Sequence, residues 1–289
     1  MKKVLLLSSL LICILGAFSQ SKQGTINYER KINLWKRIQD PQRRANIPEF
    51  RTTKHVLLFN DTISLYKTIK EEEEMNPFEG GGEGRGEGRG GGGFGGGRMG
   101  RMFGSNDGDL FKNFSSGMSI QATEQSGKDF LISDSIRNQP WKITGETKVI
   151  LGYTCHKATL KQKGFGGGGN GGFNAGGGRR NRDNQGANPP APDTTRRVPQ
   201  EIEIVAWFAD KLLAPAGPES YGQLPGVILE VNIDNGSMVY SATSIKEVAP
   251  VKELKEPKKG KPVTRQEFRK IMMDLRQHFG NAVPDQGNN

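Results

Sequence analysis

The chain has 289 residues, 40 glycines, three histidines, two cysteines and a formal net charge of +10. It contains no HExxH, CxxC, GxSxG or P-loop pattern, which excludes the common signatures of zinc hydrolases, serine hydrolases and nucleotide-binding proteins. The positive charge favours anionic surfaces in general and indicates nothing about the fold.

The start of the chain has the three-part pattern of a secretory signal peptide. The positively charged Lys2 and Lys3 are followed by the apolar run VLLLSSLLICILGAF and by a small-x-small cleavage signal at Ala17-Phe18-Ser19. The run is shorter than the ~20 residues that a membrane-spanning helix needs. Cys13 follows Ile12, whereas an acylated cysteine follows a small residue. We therefore predict a cleaved signal peptide over residues 1–20, and favour it over a membrane anchor or a lipid anchor.

Cleavage would leave Cys155 as the only cysteine, which excludes an internal disulfide. The thiol is then either buried as a small apolar group, which is the usual case, or available to another molecule. Loss of Lys2 and Lys3 would lower the formal net charge from +10 to +8. We expect the mature protein in the periplasm, at the outer membrane or outside the cell.

Short segments that alternate between apolar and polar residues run through residues 21–249. Such alternation is typical of half-buried antiparallel strands. The candidate strands lie near residues 26–34, 52–60, 62–70, 117–125, 128–136, 141–151, 153–161, 202–208, 226–234 and 237–248. Many short strands joined by turns predict a mainly β fold, either a large curved antiparallel sheet or a half-barrel.

Two Gly-rich stretches, residues 79–109 and 164–197, interrupt this pattern. They have almost no apolar residues to bury, and we expect them to be disordered. Each lies between two candidate strands, and loop-closure entropy rises only slowly with length. We therefore predict a single β domain over residues 21–249 with two expanded loops, and no domain boundary at either loop.

The stretch YGQLPGVILEV, residues 221–231, combines a turn signal with a strand. Pro225 suits the second position of a type II turn, and Gly226 could supply the positive φ that such a turn requires next. A regular alternation of apolar and polar residues follows. We interpret the Leu-Pro-Gly step as a structural turn that begins a core strand, and favour this over a ligand grip. Binding residues are better placed in the preceding loop.

The end of the chain changes to helical periodicity. After a charged linker over residues 250–262, Thr264 and Glu267 have capping-box spacing. An apolar stripe then recurs at Phe268, Ile271, Met272 and Leu275. We predict an amphipathic helix over residues 263–280 and a disordered tail over 281–289. The helix should cover one end or face of the sheet, with partner docking as the alternative.

Residues with catalytic or metal-binding chemistry are few. Cys155 and His156 are adjacent, and adjacent strand residues point to opposite faces, so they do not form a thiolate pair. The acidic run Glu71–Glu74 is more typical of a solvated charge run than of a cation site. We predict no metal and no cofactor. If the protein were an enzyme, dispersed residues would have to act, and the nearest candidates are Tyr153, Cys155, Asp210 and Glu219.

Arginines in the Gly-rich stretches could contact anionic partners. Arg179, Arg180 and Arg182 make the second stretch the more cationic of the two, and we predict contacts with an anionic envelope surface there. Arginines interleaved with phenylalanines also resemble segments that bind single-stranded nucleic acid. Export removes the protein from intracellular RNA, so nucleic acid is the less favoured partner.

Three segments together carry a family signal. They are ITGETKVILGYTCHKATL (143–160), VAWFADKLLAPAGPESYG (205–222) and the stretch with Gly222, Leu224, Pro225, Gly226 and Ile228. In these segments the chain resembles the GLPGLI family of exported Bacteroidetes proteins, which is named for the motif in the third segment. Gln223 stands where the motif begins with Gly, and Val227 replaces its second Leu. The resemblance implies a cell-envelope location and a mainly β fold, but no activity or cofactor. A weaker, fold-level similarity is to the half-barrels of periplasmic lipoprotein carriers.

Our leading hypothesis is a non-enzymatic, exported cell-envelope protein that binds a partner protein or an apolar, lipid-like ligand. Export, many strands, a capped helix and the absence of catalytic motifs support it. The alternatives are an enzyme with dispersed catalytic residues and a structural or surface protein that acts through its Gly/Arg-rich loops.

Overall fold

The structure is a computed structural model, and it describes residues 21–38, 41–45, 47–69, 108–164, 200–249 and 252–280. The predicted signal peptide, nearly all of both Gly-rich stretches and the predicted tail lie outside these residues. The described chain forms twelve strands: β1 (Gly24–Asn33), β2 (Phe50–Phe59), β3 (Ile63–Thr68), β4 (Leu110–Asn113), β5 (Met118–Gln125), β6 (Lys128–Ser135), β7 (Lys142–Ile150), β8 (Tyr153–Gly164), β9 (Gln200–Ala209), β10 (Val227–Ile233), β11 (Met238–Lys246) and β12 (Lys261–Thr264). The helices are α1 (Pro41–Arg44) and α2 (Arg265–Gly280), with a 3₁₀ turn at Trp35–Arg37.

All twelve strands belong to one sheet, in the order β12-β6-β5-β4-β3-β2-β1-β11-β10-β9-β8-β7. The mainly β prediction is confirmed, and the sheet is open and curved, with β12 and β7 at its edges. Neighbouring strands are antiparallel except at one edge, where β12 runs parallel to β6. The predicted large curved antiparallel sheet is therefore mixed at this one edge.

Two strands were not among the predicted ones, and both have four residues. β4 directly follows the first Gly-rich stretch. β12 takes residues 261–264, which the sequence pattern assigned to the linker and to the first turn of the helix. A four-residue strand contains too few alternations to be recognised by periodicity. Such a strand is fixed by its hydrogen bonds with neighbouring strands.

The inner face of the sheet is the one that carries Ile26, Tyr28, Arg30 and Ile32 of β1, all of them buried. It is covered by the β9–β10 loop, residues 210–226. Buried apolar side chains of this loop join the main core, and they are Leu212, Ala214, Ala216, Tyr221 and Leu224. The loop thus completes the core on the inner face.

The outer face is apolar where β2, β3 and β4 lie side by side. Leu58, Leu65 and Phe111 form a second buried cluster there, together with Ala249 and Leu254 from the chain that follows β11. β2 is consequently buried on both faces near its end, which explains the continuous apolar run VLLF.

Helix α2 begins with the predicted capping box. The Glu267 N–H donates to Thr264 Oγ1 at 3.2 Å, and the Thr264 N–H donates to Glu267 Oε2 at 2.7 Å. Phe268 and Val263 pack with Phe130 and Ile132 in a third buried cluster. The helix therefore covers one end of the sheet, at β6 and β12.

Among the residues that the structure describes, no helix has both the length and the apolar character needed to cross a membrane.

Candidate functional site

The β9–β10 loop is fixed to the sheet by its own backbone. The Gln223 N–H donates to the Pro215 carbonyl at 2.9 Å, and the Ile228 N–H donates to the Ala216 carbonyl at 3.0 Å. The indole N–H of Trp141 donates to the Gly222 carbonyl at 3.0 Å. These bonds join the loop to itself, to β10 and to the start of β7.

The motif residues serve this close packing. Leu224 and Ile228 are buried in the main core. At Gly226 a Cβ atom would lie 2.2 Å from the Ala209 carbonyl oxygen, and at Gly222 it would lie 2.7 Å from the Pro215 oxygen. Both glycines are needed because another backbone approaches them closely. Gly226 does not have the positive φ predicted for a type II turn, so that reason for the glycine was wrong.

A buried ion pair lies beneath the loop. Arg30 of β1 is 2% exposed, and its Nη1 donates to Glu219 Oε1 of the loop at 3.0 Å. Its Nε donates to Thr53 Oγ1, also at 3.0 Å. Breaking such a pair leaves a charge buried without its partner, which costs about 3–5 kcal/mol. Arg30 and Glu219 therefore hold the loop in one position on the inner face.

Further polar residues surround this ion pair on the inner face. Lys112 of β4 is buried, and its Nζ donates to the Tyr221 carbonyl at 2.9 Å. His55 lies between two threonine hydroxyls, at 2.9 Å from Thr53 and 3.4 Å from Thr68. Its ring stacks on Tyr66 with a centroid separation of 5.1 Å. The interior thus contains a polar cluster within an otherwise apolar core.

Burial shifts the pKa values of this cluster strongly. It lowers the pKa of His55 to about 3, aided by the Arg30 charge, so the imidazole is neutral at pH 7. It lowers the pKa of Lys112 to about 7, against the opposing effect of Glu219. Burial, and after it the Glu219 carboxylate, also raises the pKa values of Tyr66 and Tyr240 above that of a free tyrosine.

The four dispersed candidates for catalysis do not form one site. The Tyr153 hydroxyl donates to Glu247 Oε1 at 2.6 Å. Cys155 is a buried free thiol whose pKa burial raises to about 11, so it is protonated at neutral pH. Asp210 lies 3.2 Å from His156 Nε2, and Glu219 is bound to Arg30 elsewhere on the sheet.

The predicted anionic-surface contacts Arg179, Arg180 and Arg182 lie outside the described residues, as does the acidic run Glu71–Glu74. Within residues 21–280, wherever the structure describes the chain, no group of three or more His, Cys, Asp or Glu residues could hold a metal ion.

The longer of the two edge strands, β7, is largely exposed. Six of its nine residues are exposed, including Ile143 at 55% and Val149 at 71%, and Leu151 follows at 46%. A long edge strand with exposed apolar side chains is unusual in monomeric proteins, because its unpaired backbone groups can pair with another chain. β7 is therefore the part of the described surface best suited to bind a protein segment.

The turn between β7 and β8 determines which backbone groups point away from the sheet. Leu151 and Gly152 both have positive φ, 50° and 85°, as in a two-residue type I′ hairpin turn. Ile150 and Tyr153 are then a hydrogen-bonded pair, and Val149 opposite Thr154 is a non-hydrogen-bonded pair. The N–H and C=O groups of Val149 consequently face outward, available to an added strand.

The Lys148 side chain connects β7 with strands nearer the middle of the sheet. Its Nζ lies 2.7 Å from Glu230 Oε1 of β10 and 4.4 Å from the centre of the Trp207 ring of β9. Both contacts span more than one strand. The Lys148 side chain therefore folds back over the sheet and does not cover the edge.

Comparison with known proteins gives a family match and a structural likeness. Two crystal forms of PNGF-II, in space groups C2 and P21, are each 15% identical with a TM-score of 0.48. The likeness covers 88% and 89% of this chain, which spans about a third of the PNGF-II chain, 33% and 34%. No curated protein has significant similarity. Residues 141–230 match a family described as "Protein of unknown function (Porph_ging)". The match extends from the start of β7 into β10 and includes the loop.

Proposed function

We propose that the chain is an exported cell-envelope protein of the GLPGLI type that binds an envelope protein through β7. An extended segment of the partner would add to the free edge, with its backbone hydrogen-bonded to the regularly paired part of β7, residues 147–150, and its side chains against Val149, Leu151 and, beyond the register irregularity, Ile143. The observation that carries this proposal is the open, partly apolar edge of β7, which lies within the family-matched residues.

The backbone at Gln223 supports the GLPGLI assignment. Gln223 stands where that motif has Gly, and its φ is 65°, in the left-handed region that glycine adopts without strain. A glycine at this position, as in the motif, would adopt the same conformation without strain. The Gln139 N–H donates to Gln223 Oε1 at 3.1 Å, which offsets part of the conformational strain.

An apolar ligand on the inner face is the less favoured alternative. Leu212, Ala214 and Leu224 of the β9–β10 loop already pack against that face. A lipid-like molecule would have to displace the loop and break the Arg30–Glu219 ion pair. An added partner strand requires neither change.

Photo-crosslinking in intact cells tests the proposed edge. A photoreactive amino acid at Val149 should crosslink one envelope protein. The same group at Met273, which is 56% exposed on α2 at the opposite edge, serves as the matched control. Crosslinked products would be identified by mass spectrometry. Equal products from both positions, or none from Val149, would contradict the proposal.

Two substitutions at Val149 separate backbone pairing from side-chain contact. Val149→Pro removes the outward N–H without removing a bond to β8, whereas Val149→Thr keeps the backbone intact. We expect Val149→Pro to lower recovery of the partner in native co-purification at least tenfold, and Val149→Thr to keep most of it. If the proline variant recovered the partner at the wild-type level, strand addition at β7 would be excluded.

Export can be tested independently of binding. N-terminal sequencing of the protein from envelope fractions should start near Gln20 or Ser21, directly after the small-x-small signal. A chain that keeps Met1 and is recovered from the cytoplasm would contradict export and leave the β7 experiment unaffected.

A further inference from the structure

The inner face buries two cationic side chains beneath the β9–β10 loop. Arg30 is 2% exposed and Lys112 is 5% exposed. Arg30 donates to the Glu219 carboxylate, whereas Lys112 donates to a neutral group, the Tyr221 carbonyl, at 2.9 Å. Burial removes the water that would otherwise solvate the ammonium, and a neutral carbonyl replaces only part of that solvation. The charged form of Lys112 is therefore costly while the loop covers it.

The Glu219 carboxylate is the centre of this cluster, and it is already bonded. It accepts from Arg30 Nη1 at 3.0 Å and from the Tyr240 hydroxyl. Its charge also acts on Lys112, but the direct ion pair is the one with Arg30. Protonation of Lys112 therefore adds a positive charge to a cluster whose carboxylate already has a partner.

The row of residues across the sheet from Lys112 leads to a second carboxylate. Lys112 is opposite Ser119 of β5, and Ser119 is opposite Asp134 of β6. Asp134 is bound to Arg265 at the start of α2. Both carboxylates are thus paired with cations other than Lys112.

The histidine and the tyrosines of the inner face keep one protonation state near neutral pH. His55 of β2 is neutral, because burial lowers its pKa to about 3. Three buried tyrosines keep their protons, because burial raises their pKa values above the ordinary 10. They are Tyr28, Tyr66 and Tyr240. A change of charge near neutral pH therefore falls to Lys112 and not to these groups.

The loop that covers Lys112 contains strained backbone. Glu219 and Gln223 have φ values of 47° and 65°, a region that residues other than glycine rarely adopt. Such conformations persist only where surrounding contacts hold them, and they occur at switch segments. Here Arg30 holds the Glu219 side chain, and Lys112 holds the Tyr221 carbonyl. The polar cluster thus keeps the loop closed against its own backbone strain.

We propose that Lys112 makes the β9–β10 loop a pH-sensitive latch, which is closed while the lysine is neutral and opens more readily once the lysine is protonated. Opening moves Tyr221 away from Lys112 and lets water solvate the ammonium. The strain at Glu219 and Gln223 is released in the same movement. Acid therefore favours the open loop, and base favours the closed one.

The direction of this pH effect follows from the two environments of Lys112. Under the closed loop, burial lowers the pKa of Lys112 to about 7, whereas a solvated lysine has the ordinary pKa of 10.5. The open form thus binds more protons between these two values. The closed form should gain stability over the open form as the pH rises from 7 toward 10.5, and should have its smallest advantage below pH 7.

Amide hydrogen exchange in the full chain tests the latch. The Tyr221 and Gln223 amides are bonded within the loop, to the Pro218 and Pro215 carbonyls. Their protection factors, corrected for the intrinsic exchange rate, are measured at pH 6 and pH 9. We expect protection to rise up to about a hundredfold over this range, because one linked proton contributes at most about tenfold per pH unit. Equal protection at both pH values would overturn the proposal.

The same measurement shows whether the loop opens separately from the sheet. The Arg30 amide lies in β1, between β2 and β11 in the sheet, and should exchange only through a larger unfolding event. At pH 6 the loop amides should be at least about tenfold less protected than this one, because local opening needs less free energy. Equal protection of the loop and β1 would mean that the loop does not open by itself, and would exclude a latch.

Two lysine variants localise the effect. Lys112→Met keeps an unbranched side chain without a titratable group, so loop protection should be the same at pH 6 and pH 9. Lys36→Met is the matched control, because Lys36 Nζ also donates to backbone carbonyls, those of Asp234 and Asn235, but at an exposed position. It should keep the wild-type pH dependence. A pH dependence that persists in Lys112→Met would contradict the assignment to Lys112.

A direct titration of Lys112 needs no variant that might fail to fold. In wild-type protein with isotope-labelled lysine, the Cε chemical shift of Lys112 should change with a midpoint near pH 7. The exposed Lys36 serves as the internal reference for an ordinary lysine. A Lys112 midpoint equal to that of Lys36 would overturn the proposal.

Discussion

The two edge strands of the sheet differ in length and in how well they are covered. β12 has four residues, carries Lys261 and Pro262, and continues directly into helix α2. β7 has nine residues and exposes Ile143 and Val149. Short length, lysine, proline and a covering helix are the usual means by which proteins prevent unwanted strand pairing.

The difference shows that protection is selective in this molecule. The edge at β12 has several protective features. β7 has one, a register irregularity between Ile143 and Thr147, and its Lys148 side chain is bound to Glu230 and Trp207 on the face of the sheet. Because the other edge is protected, the open edge at β7 is a candidate binding surface. The following changes alter one edge or the other, from the largest expected effect to the smallest.

Removing the cover of the β12 edge should have the largest effect. Phe268 is 4% exposed and meets Phe130 at a ring-centroid distance of 5.4 Å. Phe268→Ala should lower the free energy of unfolding by about 3–5 kcal/mol, the usual loss for a buried phenylalanine, as measured by urea denaturation. Met273→Ala, on the exposed face of α2, should change it by less than about 0.5 kcal/mol. Similar losses from both would mean that the helix does not cover the edge through Phe268.

Removing the contacts of Lys148 with β9 and β10 should have a smaller effect on stability. Lys148→Met keeps the side-chain length but removes the ion pair with Glu230 and the cation–π contact with Trp207. We expect a loss of about 1 kcal/mol in the free energy of unfolding and faster amide exchange in β7. A salt titration checks the cause, because the ion-pair part of the loss should shrink at high ionic strength.

The N-terminus of α2 adds a pH dependence to the protected edge. Hydrogen bonds from the Thr264 backbone and hydroxyl lower the pKa of Glu267 below its ordinary 4.5. The charged form therefore stabilises the helix above pH 4.5, and this contribution is lost as the pH falls through the lowered pKa. Helix content, measured by circular dichroism, should fall more in the wild type than in Glu267→Gln as the pH is lowered from 5 through the lowered pKa of Glu267. Parallel curves for the two proteins would contradict the role of the charge.

A substitution in the open edge should lower the free energy of unfolding least. Val149→Thr alters a side chain that is 71% exposed and keeps a β-branched residue in the strand. We expect a change of less than about 0.5 kcal/mol in the free energy of unfolding. A larger loss in the isolated protein would show that Val149 packs against part of this chain, and β7 would then no longer be an open edge.

Most strands were predictable because alternation is a local property. β1, β5 and β10 have long regular patterns, and the Thr264–Glu267 spacing predicted the helix cap that the structure contains. The parallel pairing of β12 with β6 was not predictable, because it joins residues that are 131 positions apart, such as Val263 and Ile132. Sequence alone does not encode such a pairing in any local pattern.

The polar cluster was only partly visible in the sequence. Arg30 interrupts the apolar stripe of β1 between Tyr28 and Ile32, and a charge on a core face is a signal of a buried ion pair. Lys112 gave no such signal because its strand has four residues. Gly226 was identified correctly as a required glycine, but the reason is contact with the Ala209 backbone, which depends on strand pairing.

The position of β12 in the chain affects the order of folding. A chain that is synthesised from its N-terminus has β6 before the residues that will cover it. Until Lys261–Thr264 arrive, β6 is itself an open edge, and a truncated product would keep it open. Residues 261–280 therefore act as the closing step of assembly, after which β7 is the edge strand of the described sheet that stays uncovered.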